Sequence, residues 1–327
     1  MRILRLKARD APGETDMMIE VYRGSSNTWE TDEMGHMNVR FYISRMMEGL
    51  AELAHVIGLP HAFRPGADAT LRPRDQHIRF LREAYAGRPL SMTAGVLEIR
   101  ESSALIYQRL DHSGGNPCAT FQTWVDHVDA TTGEPFPWPS PVRSALERLR
   151  CEADAAIGPR SIDVSRTPRP EALVAHADAV GSPVIGRAVV QAQHCDALGF
   201  MIPELFIGRI SDSVGNLLAP WRDRIAEAAI ETDEPRPRTG GAVLEYRIVY
   251  RRWPRTGDRL VIRSALGEVR EKFHSLIHWV LDPETGQAWC TCEVVAITLN
   301  LDTRKIIPAP PGHAEHLKRL APQGLTV

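Results

Sequence analysis

An acid, a glycine, an imidazole and a carboxamide stand within seven residues near the start of this chain. They are Asp32, Gly35, His36 and Asn38. A β-like pattern over residues 18–29 precedes them, and a helical pattern over residues 39–57 follows them. A carboxylate between a strand and a helix can serve as a general base or as a nucleophile, and the N–H groups of a helix start can polarise a carbonyl. An aspartate here could also be only a helix N-cap.

Composition restricts the class of protein. The chain has 327 residues with a net charge of −2, 43% hydrophobic residues and 24% charged residues, which is ordinary for a globular protein of about two domains. This charge argues against a nucleic-acid partner. No apolar run has the length of a membrane span. Residues 1–7 have charges throughout and no continuous apolar core, so they make a poor signal peptide. We therefore expect a cytoplasmic protein.

The five cysteines match neither a disulfide framework nor a metal site. Their number is odd, and no second Cys or His pair stands at zinc-like spacing. The pattern favours reduced, buried thiols. We expect no metal and no cofactor.

The sequence contains an internal repeat. A shift of 164 residues places Asp32 and Gly35 on Asp196 and Gly199, and a shift of 170 places Arg82 on Arg252. The shift changes only where loops are expected, and the matches keep their order along the chain. We conclude that the chain holds two copies of one unit.

The two copies predict the domain organisation and the fold class. Residues 1–134 form the first unit, residues 183–327 form the second, and residues 135–182 form a proline-rich linker with a helix over residues 142–157. Each unit reads as a strand, a long helix and then several strands joined by short turns. One helix against antiparallel strands is an α+β arrangement.

These residues resemble the hotdog-fold thioesterases. The pattern is a strand, then T-D-x-x-G-H-M-N, then a helix that carries Tyr42 and Glu48, and it is nearest to the 4-hydroxybenzoyl-CoA-thioesterase-like group, with relatives among acyl-ACP thioesterases. The resemblance covers most of both copies. It implies a double hotdog, in which an antiparallel sheet wraps a central helix in each of two tandem units.

The resemblance also implies roles for the residues of the motif. Asp32 would be the catalytic carboxylate, and the N–H groups of Gly35 and His36, at the start of the central helix, would polarise the thioester carbonyl. His36 and Asn38 side chains would take part in the chemistry. Family members act as dimers of hotdogs with sites at the seam between units, so the fused pair could form that seam within one chain. Two such chains could pair further into a homodimer.

Three more acidic or glycine positions are second-rank candidates. Glu48 lies in the apolar stripe of the predicted helix and could be catalytic, although its counterpart Asp212 favours a shared structural ion pair. Asp196 and Gly199 keep the acid and the glycine of the motif, but Phe200 and Ile202 replace His36 and Asn38. The second site is therefore degenerate if those side chains matter.

Basic residues collect near the second strand of each copy. Arg82, Arg251 and Arg252 are candidates for contact with the phosphates of coenzyme A or of a carrier protein's phosphopantetheine. A solvated sheet edge would explain the same arginines.

The sequence favours a thioesterase that hydrolyses an acyl-CoA or an acyl-carrier-protein thioester, with Asp32 as general base or nucleophile. One alternative is a hotdog hydratase or dehydratase, although the Gly-Asp-x-Asn-Pro-x-His and His-Phe-Pro segments of such enzymes are absent. Another is a non-catalytic protein that binds acyl thioesters, which the altered second motif would fit. The acyl group itself is not predicted.

Overall fold

The computed structural model describes residues 18–231, 239–308 and 322–327, and it describes only the backbone of residues 220–231 and of residue 239. The segment 1–7, for which we expected no signal peptide, lies outside the described residues. Within the described ranges, ten strands form one antiparallel sheet. No helix in these ranges combines the length and the apolar character needed to cross a bilayer.

The strands are β1 (Ile19–Ser25), β2 (Ala69–Phe80), β3 (Pro89–Ile99), β4 (Ser103–His112), β5 (Pro117–Asp129), β6 (Val184–Val189), β7 (Thr239–Tyr250), β8 (Arg259–Val269), β9 (His274–Leu281) and β10 (Ala288–Asn300). The helices are α1 (Val39–Val56), α2 (Ser140–Arg148), α3 (Val174–Ala179) and α4 (Glu204–Glu231). The strands and turns predicted after each motif are confirmed. The β-like segment 18–29 is shorter than predicted, because a single 3₁₀ turn (Thr28–Glu30) follows β1.

The sheet has two halves with the same strand order. Its order is β1-β3-β4-β5-β2-β7-β10-β9-β8-β6, so the first half (β1–β5 with α1) and the second half (β6–β10 with α4) each place their second strand at the centre. The two halves meet where β2 pairs with β7. The strand order therefore follows the repeat predicted from the sequence.

Helix α1 owes its bounds and its position to local sequence. The Asn38 side chain accepts a hydrogen bond from the Arg40 N–H at 3.0 Å, which caps the first turn. Gly58, with φ of 97°, follows the last turn in the left-handed region that favours glycine. Between these ends, apolar side chains at intervals of three and four residues are buried against β1, β3 and α4.

A buried polar network joins the two halves at the β2–β7 pairing. Arg247, 1% exposed, donates to both carboxylate oxygens of Asp75 at 2.7 and 3.1 Å. Farther along the same two strands, Nε2 of His77 on β2 lies 3.1 Å from Oε2 of Glu245 on β7. A buried ion pair whose members are also hydrogen-bonded is costly to break, because one partner is left charged without its counterion.

The linker covers this network. The backbone N–H groups of Arg160, Ser161 and Ile162 donate to the Glu245 carboxylate. Burial raises the pKa of Glu245, but the hydrogen bonds from His77 and from the linker outweigh that effect and the pKa is lowered overall. The linker therefore stabilises the charged seam.

The linker helix is shorter than predicted. Helix α2 ends at Arg148, whereas the sequence pattern suggested a helix as far as residue 157. The chain leaves the helix because Leu149 and Cys151 exchange backbone hydrogen bonds with Val96, at an irregularity of β3.

Replacement of Arg247 by Met should lower the free energy of unfolding by roughly 3 kcal/mol, because Asp75 stays buried without its partner. Urea denaturation measures the change. Arg74→Ala is the control, since Arg74 is on the same strand as Asp75 but its side chain is 45% exposed, against 2% for Arg247, and it should cost less than about 1 kcal/mol. Equal losses in the two variants would show that the seam network does not stabilise the fold.

Candidate functional site

The motif forms a tight turn before α1. Gly35 has φ of 82°, and its N–H donates to the Asp32 carbonyl at 3.0 Å, while the Asp32 N–H donates to the His36 carbonyl at 3.0 Å. Helix α1 begins at Val39, as the helical pattern over residues 39–57 predicted, so the start at Gly35 that the resemblance implied is wrong. In this conformation the Gly35 N–H is occupied within the turn and is not available to a substrate carbonyl.

Two carboxylates flank the imidazole of His36. His36 Nδ1 lies 3.4 Å from Asp32 Oδ2, and His36 Nε2 lies 3.6 Å from Glu83 Oε1. Both distances exceed those of ordinary N–H···O hydrogen bonds. His36 Nε2 is buried without a hydrogen-bond partner, and a buried polar atom of this kind in a native site needs a physical explanation.

Glu83 is held in place by both halves of the chain. The Tyr85 hydroxyl donates to Glu83 Oε2, and Arg304, just after β10, donates to Glu83 Oε1 at 3.2 Å. The sequence analysis missed Glu83. It stands next to the candidate Arg82, but nothing in the sequence pattern brings this strand end to His36.

The Asp32 carboxylate has a raised pKa. Burial is the largest cause, and it outweighs the charge of His36 and the backbone N–H groups of Met34 and His36, which lower the pKa. The Met34 N–H donates to Asp32 Oδ1 at 2.9 Å. The side chains of Asp32 and His36 are each 13% exposed. A partly desolvated carboxylate with one oxygen facing an imidazole is a stronger base than a solvated carboxylate.

Asn38 connects the motif to the second half. Its amide oxygen caps α1, and its Nδ2 donates to Ser211 Oγ of α4 at 3.2 Å. Beside it, Arg40 pairs with Glu204 at the start of α4 at 2.9 Å. These contacts fix the start of α1 against the start of α4.

A cavity of about 450 Å³ opens at this junction. The first half contributes Asp32, His36, Asn38 and Val39 to its wall, together with residues 80–83 at the end of β2. The second half contributes residues of α4, β7, β9 and β10, the end of β8 and the charged segment of residues 270–272 that follows it, and most of the second-half residues are apolar. Examples are Ile210, Val214, Leu218, Val243, Leu276 and Val294. The cavity therefore has a polar end in the first half and an apolar body in the second.

One buried imidazole lies in the apolar part of this wall. His278 is 1% exposed, and its Nδ1 lies 2.6 Å from Ser264 Oγ. Burial lowers the pKa of His278 to about 3, so the ring is neutral at physiological pH. The equivalent position in the first half is Gln108, as the pairing of Gln108 with Ala94 and of His278 with Ser264 shows.

The second motif keeps the turn but not the cavity. Gly199 has φ of 81°, and Asp196 Oδ1 accepts hydrogen bonds from the N–H groups of Leu198 and Phe200 at 2.8 and 3.0 Å. Phe200, in the place of His36, lies between the guanidinium groups of Arg72 and Arg255, each 3.9 Å from its ring centroid. The cavity described above includes Asp32 in its wall and does not include Asp196.

Glu48 lies outside the site. It is exposed on the solvent side of α1 and pairs with Arg45 at 2.6 Å. Its counterpart Asp212 makes the same contact with Arg209 at 3.6 Å. The two ion pairs fit the alternative of a shared structural pairing, and Glu48 is not in the wall of the cavity described above.

Of the three candidate arginines, only Arg82 lines the cavity. Arg251 donates to the carbonyls of Arg169 and Pro170 in the linker. Arg252 is bonded to Thr285 at 2.8 Å and lies over the ring of Trp289. Arg251 therefore holds the linker, Arg252 holds a turn of the second half, and the substrate contacts suggested for both stay predictions.

Metal chemistry has no obvious donors here. Among the described residues, no group of three or more His, Cys, Asp or Glu side chains could hold a metal ion. The chemistry of the cavity must be judged from its carboxylates, its imidazoles and the helix start.

Comparisons with known proteins agree with this geometry. A family model described as the thioesterase-like superfamily matches residues 26–146 and 190–317. A protein of Rhizobium meliloti (strain 1021) named L-carnitine dehydrogenase/betainyl-CoA thioesterase is 31% identical over 119 residues, which are 36% of this chain and 24% of that protein. A protein of the same name from Agrobacterium fabrum is 22% identical over 47% of this chain and 31% of its own length. The chain thus spans less than a third of these curated relatives.

Solved structures show the fold. An acyl-ACP thioesterase from Bacteroides thetaiotaomicron superposes with a TM-score of 0.57 at 11% identity, over 84% of this chain and 96% of that one. The 12:0-ACP thioesterase from Umbellularia californica gives a TM-score of 0.63 at 11% identity, over 85% and 93%. The chain has the fold of the hotdog thioesterases.

The buried His278 should make the protein less stable in mild acid. Its pKa is lower in the folded protein than in the unfolded chain, so its contribution is full above about pH 6.5 and is lost as the pH falls toward 3. This residue alone should remove about 2 kcal/mol of unfolding free energy between pH 7 and pH 5. Urea denaturation of wild type and His278→Gln, which copies the first half, should show a shallower pH dependence in the variant. Equal slopes would contradict the assignment of a neutral buried ring.

Proposed function

The chain belongs to the thioesterase-like superfamily, and from that premise we propose that it hydrolyses an acyl thioester to a free acid and a thiol at the cavity that Asp32 lines. The observation that carries the proposal is the pairing of a partly buried carboxylate with an imidazole that has an unsatisfied nitrogen, at the polar end of an apolar cavity. The reaction needs a base or nucleophile at one end and room for an acyl chain at the other.

We infer that the chain is a double hotdog. The units are residues 1–134 and 183–327, and residues 135–182 connect them. The common strand order of the two halves supports this assignment, as does the position of the two matched segments, one in each half. In such a chain, the seam between units is formed within one polypeptide.

Asp32 supplies the reactive carboxylate. Either it removes a proton from a water molecule that attacks the thioester carbonyl carbon, or it attacks that carbon directly and forms an anhydride that water then hydrolyses. In both routes the carbonyl oxygen becomes negative as the tetrahedral centre forms, and the C–S bond breaks to release the thiol. His36, between Asp32 and Glu83, orients the carboxylate through its Nδ1 side.

The start of α1 stabilises the developing oxyanion. Val39 is the first residue of the helix and lines the cavity. N–H groups at a helix start can bind negative charge. In α1 the Arg40 and Phe41 N–H groups bond to Asn38, so the Val39 N–H is the group that we assign to the oxyanion. Asn38 positions this helix start through its cap and through Ser211. We assign the polarising role to this turn rather than to Gly35, whose N–H bonds to Asp32.

We propose coenzyme A as the carrier of the acyl group. Support comes from the curated relatives named L-carnitine dehydrogenase/betainyl-CoA thioesterase, of which this chain matches less than a third. The apolar side chains of α4, β7, β9 and β10 would surround the acyl chain. The second motif, with Phe200 between two arginines, would serve as structural support for the first.

Replacement of Asp32 by Asn should lower turnover of an acyl-CoA panel by about 10²–10⁴-fold, because the amide is neither a base nor a nucleophile. Release of free thiol measures the rate. Asp196→Asn is the matched control, since it makes the same change in the same turn of the second half, and it should stay within about twofold of wild type. Full activity in Asp32→Asn would sink the proposal.

The pH dependence of the reaction should report Asp32. Only the ionised carboxylate can react, and its pKa is raised above 3.8, so kcat/KM should fall in acid with a midpoint above that value. The charge of His36 lowers this pKa. The variant His36→Gln should therefore move the midpoint to higher pH, and a midpoint that stays fixed or moves lower would contradict the contact between the two side chains.

A further inference from the structure

A second cavity, of about 370 Å³, adjoins the first and shares Arg82 and Glu83 with it. Its other wall consists of Arg88, just before β3, and of His112, Ser113 and Asn116 in the turn between β4 and β5. We call the part lined by Arg82, Arg88 and His112 the Arg88 groove. It leads from the polar end of the main cavity to the surface.

The positive charges of the Arg88 groove are not neutralised by neighbours. Arg82 and Arg88 are exposed, and within the described part of the chain neither guanidinium has a hydrogen bond or an ion pair. The two nearby carboxylates are engaged elsewhere. Glu83 is bonded to Tyr85 and Arg304, and Asp111 pairs with Arg109 at 2.8 Å.

The side chains of Arg82, Arg88 and His112 line the same groove. The pKa of His112 is lowered, chiefly by its burial and then by the charges of Arg82 and Arg88. A bound anion would relieve the repulsion among these groups, so the arrangement suits a ligand that carries negative charge.

The second half shows what the same positions look like without such a ligand site. The carbonyls of Arg88 and Asp258 accept equivalent hydrogen bonds, from the N–H groups of Ser26 and Val190. The turns after β4 and β9 close equivalently, through His112 N–H to Asn116 and Asp282 N–H to Gln287. Backbone geometry therefore aligns Arg88 with Asp258 and His112 with Asp282.

The charge at these positions is reversed between the halves. In the second half, Arg252, which corresponds to Arg82, has Asp282 Oδ2 at 3.4 Å and sits in a turn that also carries the acid Asp258. In the first half, Arg88 and His112 stand at the positions of those two acids, so Arg82 has no counterpart of the Asp282 carboxylate that Arg252 contacts. The reversal occurs only in the half whose motif lines the open cavity.

Building on the proposed function, we propose that the Arg88 groove binds the phosphate groups of the pantetheine carrier while the thioester lies beside Asp32. The chemistry that it recognises is a phosphate ester on the thiol arm. Coenzyme A carries a diphosphate and a 3′-phosphate there, and a carrier protein's phosphopantetheine carries a single phosphodiester. The groove therefore contributes to binding of the substrate and not to the bond-breaking step.

The test compares three thioesters of one acyl chain: acyl-CoA, acyl-phosphopantetheine and acyl-pantetheine. The variant Arg88→Asp, which copies the second half, should raise KM for acyl-CoA about tenfold with kcat unchanged, because charge-assisted bonds to phosphate are lost. KM for acyl-pantetheine should not change. A full effect with acyl-phosphopantetheine assigns the groove to the phosphate next to pantetheine, and an effect with acyl-CoA alone assigns it to the nucleotide end.

The control variant is Arg148→Asp, which makes the same charge change at an exposed arginine at the end of α2, outside the groove. It should leave every KM unchanged. An equal shift of KM for acyl-CoA and acyl-pantetheine in Arg88→Asp, or no shift for either, would overturn the proposal.

Calorimetric binding of coenzyme A tests the groove apart from catalysis. Binding should weaken about tenfold in Arg88→Asp and stay unchanged in Arg148→Asp. If the wild type hydrolyses none of the three thioesters, the proposed function fails, and this titration still decides whether the groove binds phosphate. Equal affinity for coenzyme A in wild type and Arg88→Asp would refute phosphate binding by the Arg88 groove.

Discussion

The pairing of β2 with β7 is the constraint on which the rest of the structure depends. It turns two five-stranded halves into one sheet, and it buries the Arg247–Asp75 and His77–Glu245 pairs between them. The turn that carries Asp32 lies in the first half, and most of the apolar wall of the cavity lies in the second. The seam holds the two together. The contacts between α1 and α4, from Arg40 to Glu204 and from Asn38 to Ser211, then set the distance across the cavity.

The two halves use one backbone for different purposes. Both motifs place a glycine at a left-handed φ and an aspartate that accepts the N–H two residues later. In the first half, His36 and Glu83 face the cavity. In the second half, Phe200 and Trp253 take the corresponding places, and Trp253 stacks on Tyr250 with ring centroids 5.3 Å apart. Aromatic packing therefore stands in the second half where the first half has a polar site. A turn that both halves share does not by itself determine whether a half can carry out catalysis.

Local sequence predicts the parts of the structure that local physics decides. The helix after the motif, and the strands and short turns after that helix, follow from periodicity and turn residues. The repeat predicts that both halves have the same succession of elements. The seam could not be predicted in this way, since the partner of Arg247 is 172 residues distant along the chain. Glu83 was missed for the same reason. Arg251 and Arg252 carry the expected charge, but only tertiary contacts reveal that linker carbonyls and turn residues occupy them.

The central claim is that the fused chain has one working site, at the Asp32 end of the seam. Calorimetric titration with a non-hydrolysable thioether analogue of an acyl-CoA tests it most directly, because it counts sites independently of turnover. The account predicts one molecule bound per chain and loss of that binding when Leu276 and Val294, in the apolar wall, are replaced by larger side chains. Two equivalent molecules bound per chain, or an affinity that those replacements leave unchanged, would contradict it.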